Sequence, residues 1–130
     1  MATRHQAREA VISLLYAYES GNIEIRKFAI DILDEQKIRN KQQEFALDLF
    51  DGIIKNIIAI DEAISANLQE WDFNRLGEME KAILRLGAYE ILFCNIDRAV
   101  IINEAVELSK KFGTDKSPKF INGVLDALKK

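Results

Sequence analysis

Lys119 and Phe120 stand side by side near the end of the sequence, just after Lys116, Ser117 and Pro118. A lysine ammonium can contact a phosphate, and a phenylalanine ring can stack on an unpaired base. The pair suits single-stranded RNA, whose bases are splayed out, better than the deep groove of an RNA duplex. Backbone amides after Ser117 and the positive end of a helix dipole would add to the attraction for an anion, although Pro118 removes one donor. Core packing is the competing reading for the Phe120 ring. Arg4, His5 and Arg8 make a second basic group near the start, with a solvated helix face as the competing reading.

No residue pattern points to catalysis. His5 is the sole histidine, so a zinc site would need carboxylates and Cys94 at spacings that are not diagnostic. No glycine-rich phosphate loop follows a strand, and no nucleophile elbow occurs. Ser109 and Ser117 have no histidine near them in sequence. Acidic pairs such as Asp61-Glu62 read as solvated helix charges. No cofactor is expected. Cys94, the single cysteine, can form no intrachain disulfide and is expected to fill core space.

The net charge of -3 argues against wholesale attraction to nucleic acid, but its distribution is uneven. Residues 20–97 carry a net of -6 and residues 108–130 a net of +4. A basic end on an acidic protein can form a local binding surface. A solvated helix terminus with a frayed Lys129-Lys130 tail is the plainer explanation. There is no basic start with an apolar signal segment and no run of apolar residues long enough to span a bilayer. A cytoplasmic protein without membrane contact is expected.

The elements that must position these residues read as helices. One proline and six glycines in 130 residues leave little punctuation, and the length suits one domain. Thr3 and Gln6 form a capping-box pattern ahead of an apolar stripe from Ala7 to Tyr18, which Gly21-Asn22 can end. A shorter helix is expected over Ile23–Leu33, supported by Ile25, Phe28, Ala29 and Ile32, with residues 34–40 as a surface connection. Asn40 offers a cap, with Gln43 at the third position. The spacing of Phe45, Leu49, Ile53, Ile57, Ile60 and Ile64 predicts one long helix containing Gly52, whose helix cost close packing would offset. Trp71 to Asn74 mark a break. Glu78–Phe93, with a start around Arg75 as the alternative, is apolar around much of its surface and reads as a central helix. Arg98–Phe112 follows. Ser117 is expected to cap the last helix, with Pro118 at its first position. The fold class is therefore all-α, a compact bundle of about six or seven helices over residues 1–130. Two tightly packed helical subdomains are the alternative organisation.

Three segments carry a family resemblance. The end, INEAVELSKKFGTDKSPKFINGVLDAL, closely resembles the NusB transcription-antitermination family. EKAILRLGAYEI, Glu80 to Ile91, is similar to that family's central helix, and RHQAREAVISLLYAYE, Arg4 to Glu19, to its opening helix. The resemblance implies a non-catalytic bacterial factor that binds the boxA element of nascent ribosomal RNA. It implies ribosomal protein S10, also called NusE, as the protein partner, within an antitermination complex on RNA polymerase. It makes Arg4, His5 and Arg8 candidates for RNA contact, extended by Lys116, Lys119 and Phe120. Glu80, and more weakly Glu78 and Tyr16, become candidates for the S10 side. Some relatives self-associate through an overlapping surface, so a homodimerising helical module with incidental RNA affinity is the second function implied.

Two departures from the family pattern bear on RNA affinity. Many relatives carry a denser arginine cluster where this chain has Arg4-His5 and Arg8, which weakens phosphate attraction. Lys116 and Pro118 stand where some relatives have an acidic residue and a histidine, and Lys116 strengthens it.

Overall fold

The computed structural model describes residues 1–68 and 73–129. Among them run seven α-helices: α1 Arg4–Glu19, α2 Ala29–Glu35, α3 Asn40–Lys55, α4 Ile57–Ser65, α5 Glu78–Phe93, α6 Arg98–Phe112 and α7 Ser117–Ala127. Two 3-10 turns, Ile25–Phe28 and Phe73–Arg75, precede α2 and α5. The architecture is the expected all-α bundle. The expected break at Trp71 to Asn74 begins outside the described residues.

Helix α5 is the axis, packing against α1, α3, α4, α6 and α7. Ile83, Leu84, Leu86 and Ala88 are buried on it, meeting Val11, Ile12 and Leu15 of α1 and Ile121 and Leu125 of α7 in one core. It is less apolar than its sequence suggests. Lys81, Arg85 and Glu90 are also buried, and Phe93 at its end is 47% exposed. Each buried charge has a partner, as burial of an ion demands. Arg85 donates to both Asp61 oxygens at 2.9 Å and to Glu19 at 2.8 Å. Lys81 lies 3.7 Å from Glu19. These contacts tie α5 to α1 and α4. Burial pulls the Arg85 pKa down, but the hydrogen bonds and charges of Asp61 and Glu19 outweigh it and the net shift is upward.

The ends of α1 follow the sequence. Thr3 accepts from the Gln6 amide at 3.1 Å and the Gln6 side chain accepts from the Thr3 amide at 2.8 Å, a complete capping box. At the other end Asn22 donates to Ala17 and Gly21 to Tyr18, with Gly21 at φ 115°, the left-handed closure that glycine permits.

Other boundaries differ from expectation, for local reasons. The Ile23–Leu33 segment splits into a 3-10 turn and α2, and Phe28 is 55% exposed while Ile38 beyond it is buried. Asn40 takes φ 56° and does not cap α3; Gln43 instead donates to Asp34 Oδ1 and the Ile38 carbonyl. The long helix breaks at Asn56, whose side-chain amide donates to the Gly52 carbonyl at 2.8 Å and competes with the backbone ladder. Gly52 itself fits the close-packing expectation: a Cβ there would sit 2.0 Å from the Tyr89 hydroxyl.

The α6–α7 pair is closed at both ends. Arg98 donates to the carbonyls of Leu125 and Asp126 at 3.2 Å each and to Leu128, satisfying the end of α7. At the turn Ser117 does not cap α7 with its side chain; its hydroxyl accepts from the Thr114 amide at 2.9 Å and so fastens the turn before the helix. Lys116 is the cap residue, and Pro118 lies in the first turn as its missing N–H predicts.

Candidate nucleic-acid interface

The fastened turn sets the positions of Lys116, Lys119 and Phe120. Ser117 is buried and Lys116 and Lys119 are exposed on either side of it. A Cβ at Gly113 would fall 2.6 Å from Ser117 Oγ, so this turn closes tightly on itself. Phe120 is half-buried: part of the ring packs on the core and part lines a surface depression. Arg75, Glu80, Thr114 and Lys116 line the same depression. Lys119 is exposed but not among the lining residues. Among the described residues, neither Lys116, Lys119 nor Arg75 has an ion-pair partner.

A second depression adjoins the first, with Gly77, Glu80 and Thr114 common to both. Tyr16 and Glu78 line it. Ser20 donates to Glu78 at 2.6 Å, linking the end of α1 to the start of α5. The Glu80 carboxylate folds back over Gly77, where a Cβ would meet it at 3.0 Å. An acid in the first turn of a helix is favoured by the helix dipole. Tyr16, Glu78, Glu80, Lys116 and Phe120 thus form one continuous surface drawn from α1, α5 and α7.

The opening residues go elsewhere. Arg4 is exposed, with its guanidinium 4.7 Å from the centre of the Phe45 ring. His5 contacts Glu104 at 2.5 Å and Glu9 at 3.4 Å, so it bridges α1 to α6. Twelve residues separate Arg4 from Tyr16, about 18 Å along the helix at ~1.5 Å per residue. Arg4 and His5 are therefore absent from both depressions.

Arg8 departs from the expectation of a solvent-facing cation. Its side chain is 4% exposed and donates to Glu90 at 2.9 and 2.7 Å in a bidentate pair between α1 and α5. Burial pulls the Arg8 pKa down, and the hydrogen bonds and charge of Glu90, with Glu104, more than reverse that. Arg8 is committed inside the fold and presents no free charge to a ligand. Lys110 and Lys111 are likewise compensated, by Glu107 and Glu9.

The sequence marked Arg75 only as a possible helix start and not as a site residue. It is an isolated arginine after a break in periodicity, and nothing local links it to Phe120 some 45 positions later. No group of three or more His, Cys, Asp or Glu among the described residues could hold a metal. No described helix is long and apolar enough to cross a membrane.

Known proteins resemble the chain throughout. It is 68% identical to the transcription antitermination protein NusB of Wolinella succinogenes, over 99% of this chain and 96% of that one. Its fold matches a crystal structure of Thermotoga maritima NusB with a TM-score of 0.89 and 38% identity, covering 96% of this chain and 89% of that one. It also matches the structure of antitermination factors NusB and NusE in complex with double-stranded RNA, at a TM-score of 0.86 and 32% identity, over 95% of this chain and 93% of that one. The NusB family model matches residues 5–130, and the chain belongs to the NusB family of transcription antitermination factors.

Proposed function

We propose that this chain is a non-catalytic antitermination factor that binds a boxA-like segment of nascent ribosomal RNA together with ribosomal protein S10 (NusE). It acts within the antitermination complex on RNA polymerase in the cytoplasm, as a single helical RNA-binding domain. The observation that carries the reading is the shared wall of the two depressions. Glu80, Gly77 and Thr114 separate a half-exposed ring with free cations from the patch of Tyr16 and Glu78. RNA and S10 would thus meet on adjoining ground, and each would stabilise the other's binding.

On this reading Phe120 stacks on an unpaired base while Lys116 and Lys119 contact phosphates. Glu80, Glu78 and Tyr16 face S10. Arg4 supplies a separate cationic contact farther along α1, with His5 beside it as a further RNA contact. Arg8 holds α1 on α5 and so supports the surface without touching RNA. A related NusB–NusE complex contains double-stranded RNA; the half-exposed ring here favours an unpaired strand.

Filter binding at several salt concentrations tests the reading. The chain should bind boxA-like single-stranded RNA more tightly than scrambled RNA, and more tightly still with S10 present. Affinity should fall as salt rises, because phosphate contacts release counterions. Equal binding to both RNAs, with no gain from S10, would overturn it.

A second reading is a self-associating helical module with incidental RNA affinity. Ile23, Phe28 and Ile30, at 71%, 55% and 46% exposure, favour it by leaving apolar surface near α2. Sedimentation separates the two: a dimer that never exchanges for an S10 complex supports this second reading.

A further inference from the structure

Arg75 ends the 3-10 turn Phe73–Arg75, closed by the Leu76 amide donating to the Phe73 carbonyl at 3.2 Å. The two ends of this short turn have opposite environments. Phe73 is buried, 7% exposed, with Lys81 Nζ 5.4 Å and Arg85 Cζ 5.2 Å from its ring centre. Those two cations are themselves fixed by Glu19 and Asp61. Desolvated cations over an aromatic face hold it firmly. Arg75 is exposed, two residues on, and lines the depression that holds Phe120 and Lys116.

Arg75 also has no ion-pair partner among the described residues, unlike several other surface cations. Arg26 pairs with Asp51, Lys27 with Glu24, Lys110 with Glu107 and Lys111 with Glu9. Among the described residues the one acid lining the depression, Glu80, folds over Gly77 at the start of α5. Its charge disfavours a phosphate beside it and leaves the neighbourhood of Arg75 and Lys116 as the favourable place for one. A guanidinium fork matches two phosphate oxygens where an ammonium matches one.

We propose that Arg75 binds a phosphate of the RNA strand whose base meets Phe120, and that Phe73 is the positioning residue that aims it. The proposal rests on the RNA-binding reading above and extends its site to the turn before α5.

Filter binding of boxA-like RNA with S10, across a salt series, tests it. Arg75→Ala should weaken binding about five-fold or more and lower the slope of log affinity against log salt by about 0.7, one single-strand phosphate. Arg75→Lys should keep the slope and recover only part of the affinity. Phe73→Leu should weaken binding in the wild-type background and add nothing once Arg75 is alanine, the non-additivity of residues acting through one contact. If Phe73→Leu does not fold, as a melting curve would reveal, the Arg75 series decides the phosphate contact and Phe73→Tyr replaces it in the cycle. Unchanged affinity and slope in Arg75→Ala, while the wild type still prefers boxA-like RNA, would overturn this proposal alone. A wild type without that preference would overturn the RNA reading and this proposal together. Additive losses in the double variant would remove the role given to Phe73.

Discussion

The guanidinium of Arg8 shows how one residue type serves two purposes in the same helix. Arg4 meets solvent, whereas one turn later Arg8 is sealed against Glu90. Removing one partner of a buried pair leaves the other charged and unpaired, at a cost of about 3–5 kcal/mol. Arg8→Ala should therefore lower the melting temperature strongly. The double variant Arg8→Met/Glu90→Leu should recover much of that loss, since apolar replacement of both partners leaves no orphan charge. If Arg8→Ala melts like wild type and only weakens RNA binding, Arg8 is a ligand contact after all. Phe120 divides its ring between core and depression. Phe120→Ala should cost RNA binding about 1–3 kcal/mol, the usual worth of base stacking, with a smaller fall in thermal stability. A parallel loss of both would make the ring a core residue. Lys119→Ala should leave melting unchanged and reduce the salt slope by about 0.7. An unaltered slope removes Lys119 from phosphate contact.

Helices here are placed by close approaches as much as by apolar stripes. Gly52 lets α3 meet Tyr89 of α5, and Gly87 lets α5 meet α7, where a Cβ would lie 2.7 Å from Leu125 Cδ1. Gly52→Ala gains helix propensity of about 1 kcal/mol, but overpacking on the Tyr89 ring costs about 1–3 kcal/mol. Net destabilisation is expected in a denaturant titration. Tyr89→Phe should not rescue it, because the ring carbon Cζ is itself only 2.3 Å from that Cβ. Stabilisation by Gly52→Ala would show that the ring moves aside freely. The helix breaks have a different origin. Asn56 and Ser117 use their side chains on nearby backbone groups, which ends one helix and fastens the turn before another. Apolar periodicity runs straight through Asn56 and is blind to that competition. The periodicity nevertheless located α6 at its observed bounds, Arg98–Phe112, and the end of α5 at Phe93, while the start of α5 stayed open between Arg75 and Glu78 because a 3-10 turn precedes it.

At the scale of the molecule, a net charge of -3 coexists with a local group of free cations. Binding should accordingly be short-ranged in its electrostatics: added salt should weaken RNA binding through a few phosphates, without the steep slope of a uniformly basic protein. A slope corresponding to eight or more contacts would require a much wider basic surface. S10 should raise RNA affinity and RNA should raise S10 affinity by the same factor, since linkage is reciprocal. Unequal factors in paired titrations would exclude a simple ternary complex. The sequence by itself determined the helical class, the capping box, the junction between the final two helices and the family, because each is written in local spacing or in contiguous matched segments. It also marked Lys116, Lys119 and Phe120. Tertiary structure alone decided which charges are free. Arg8 looks like Arg4 along the chain, yet Glu90, 82 positions away, removes it from the surface. Arg75 is inconspicuous until the fold sets it beside Phe120. Availability of a charge depends on its partners in space, and those partners lie far apart along the chain.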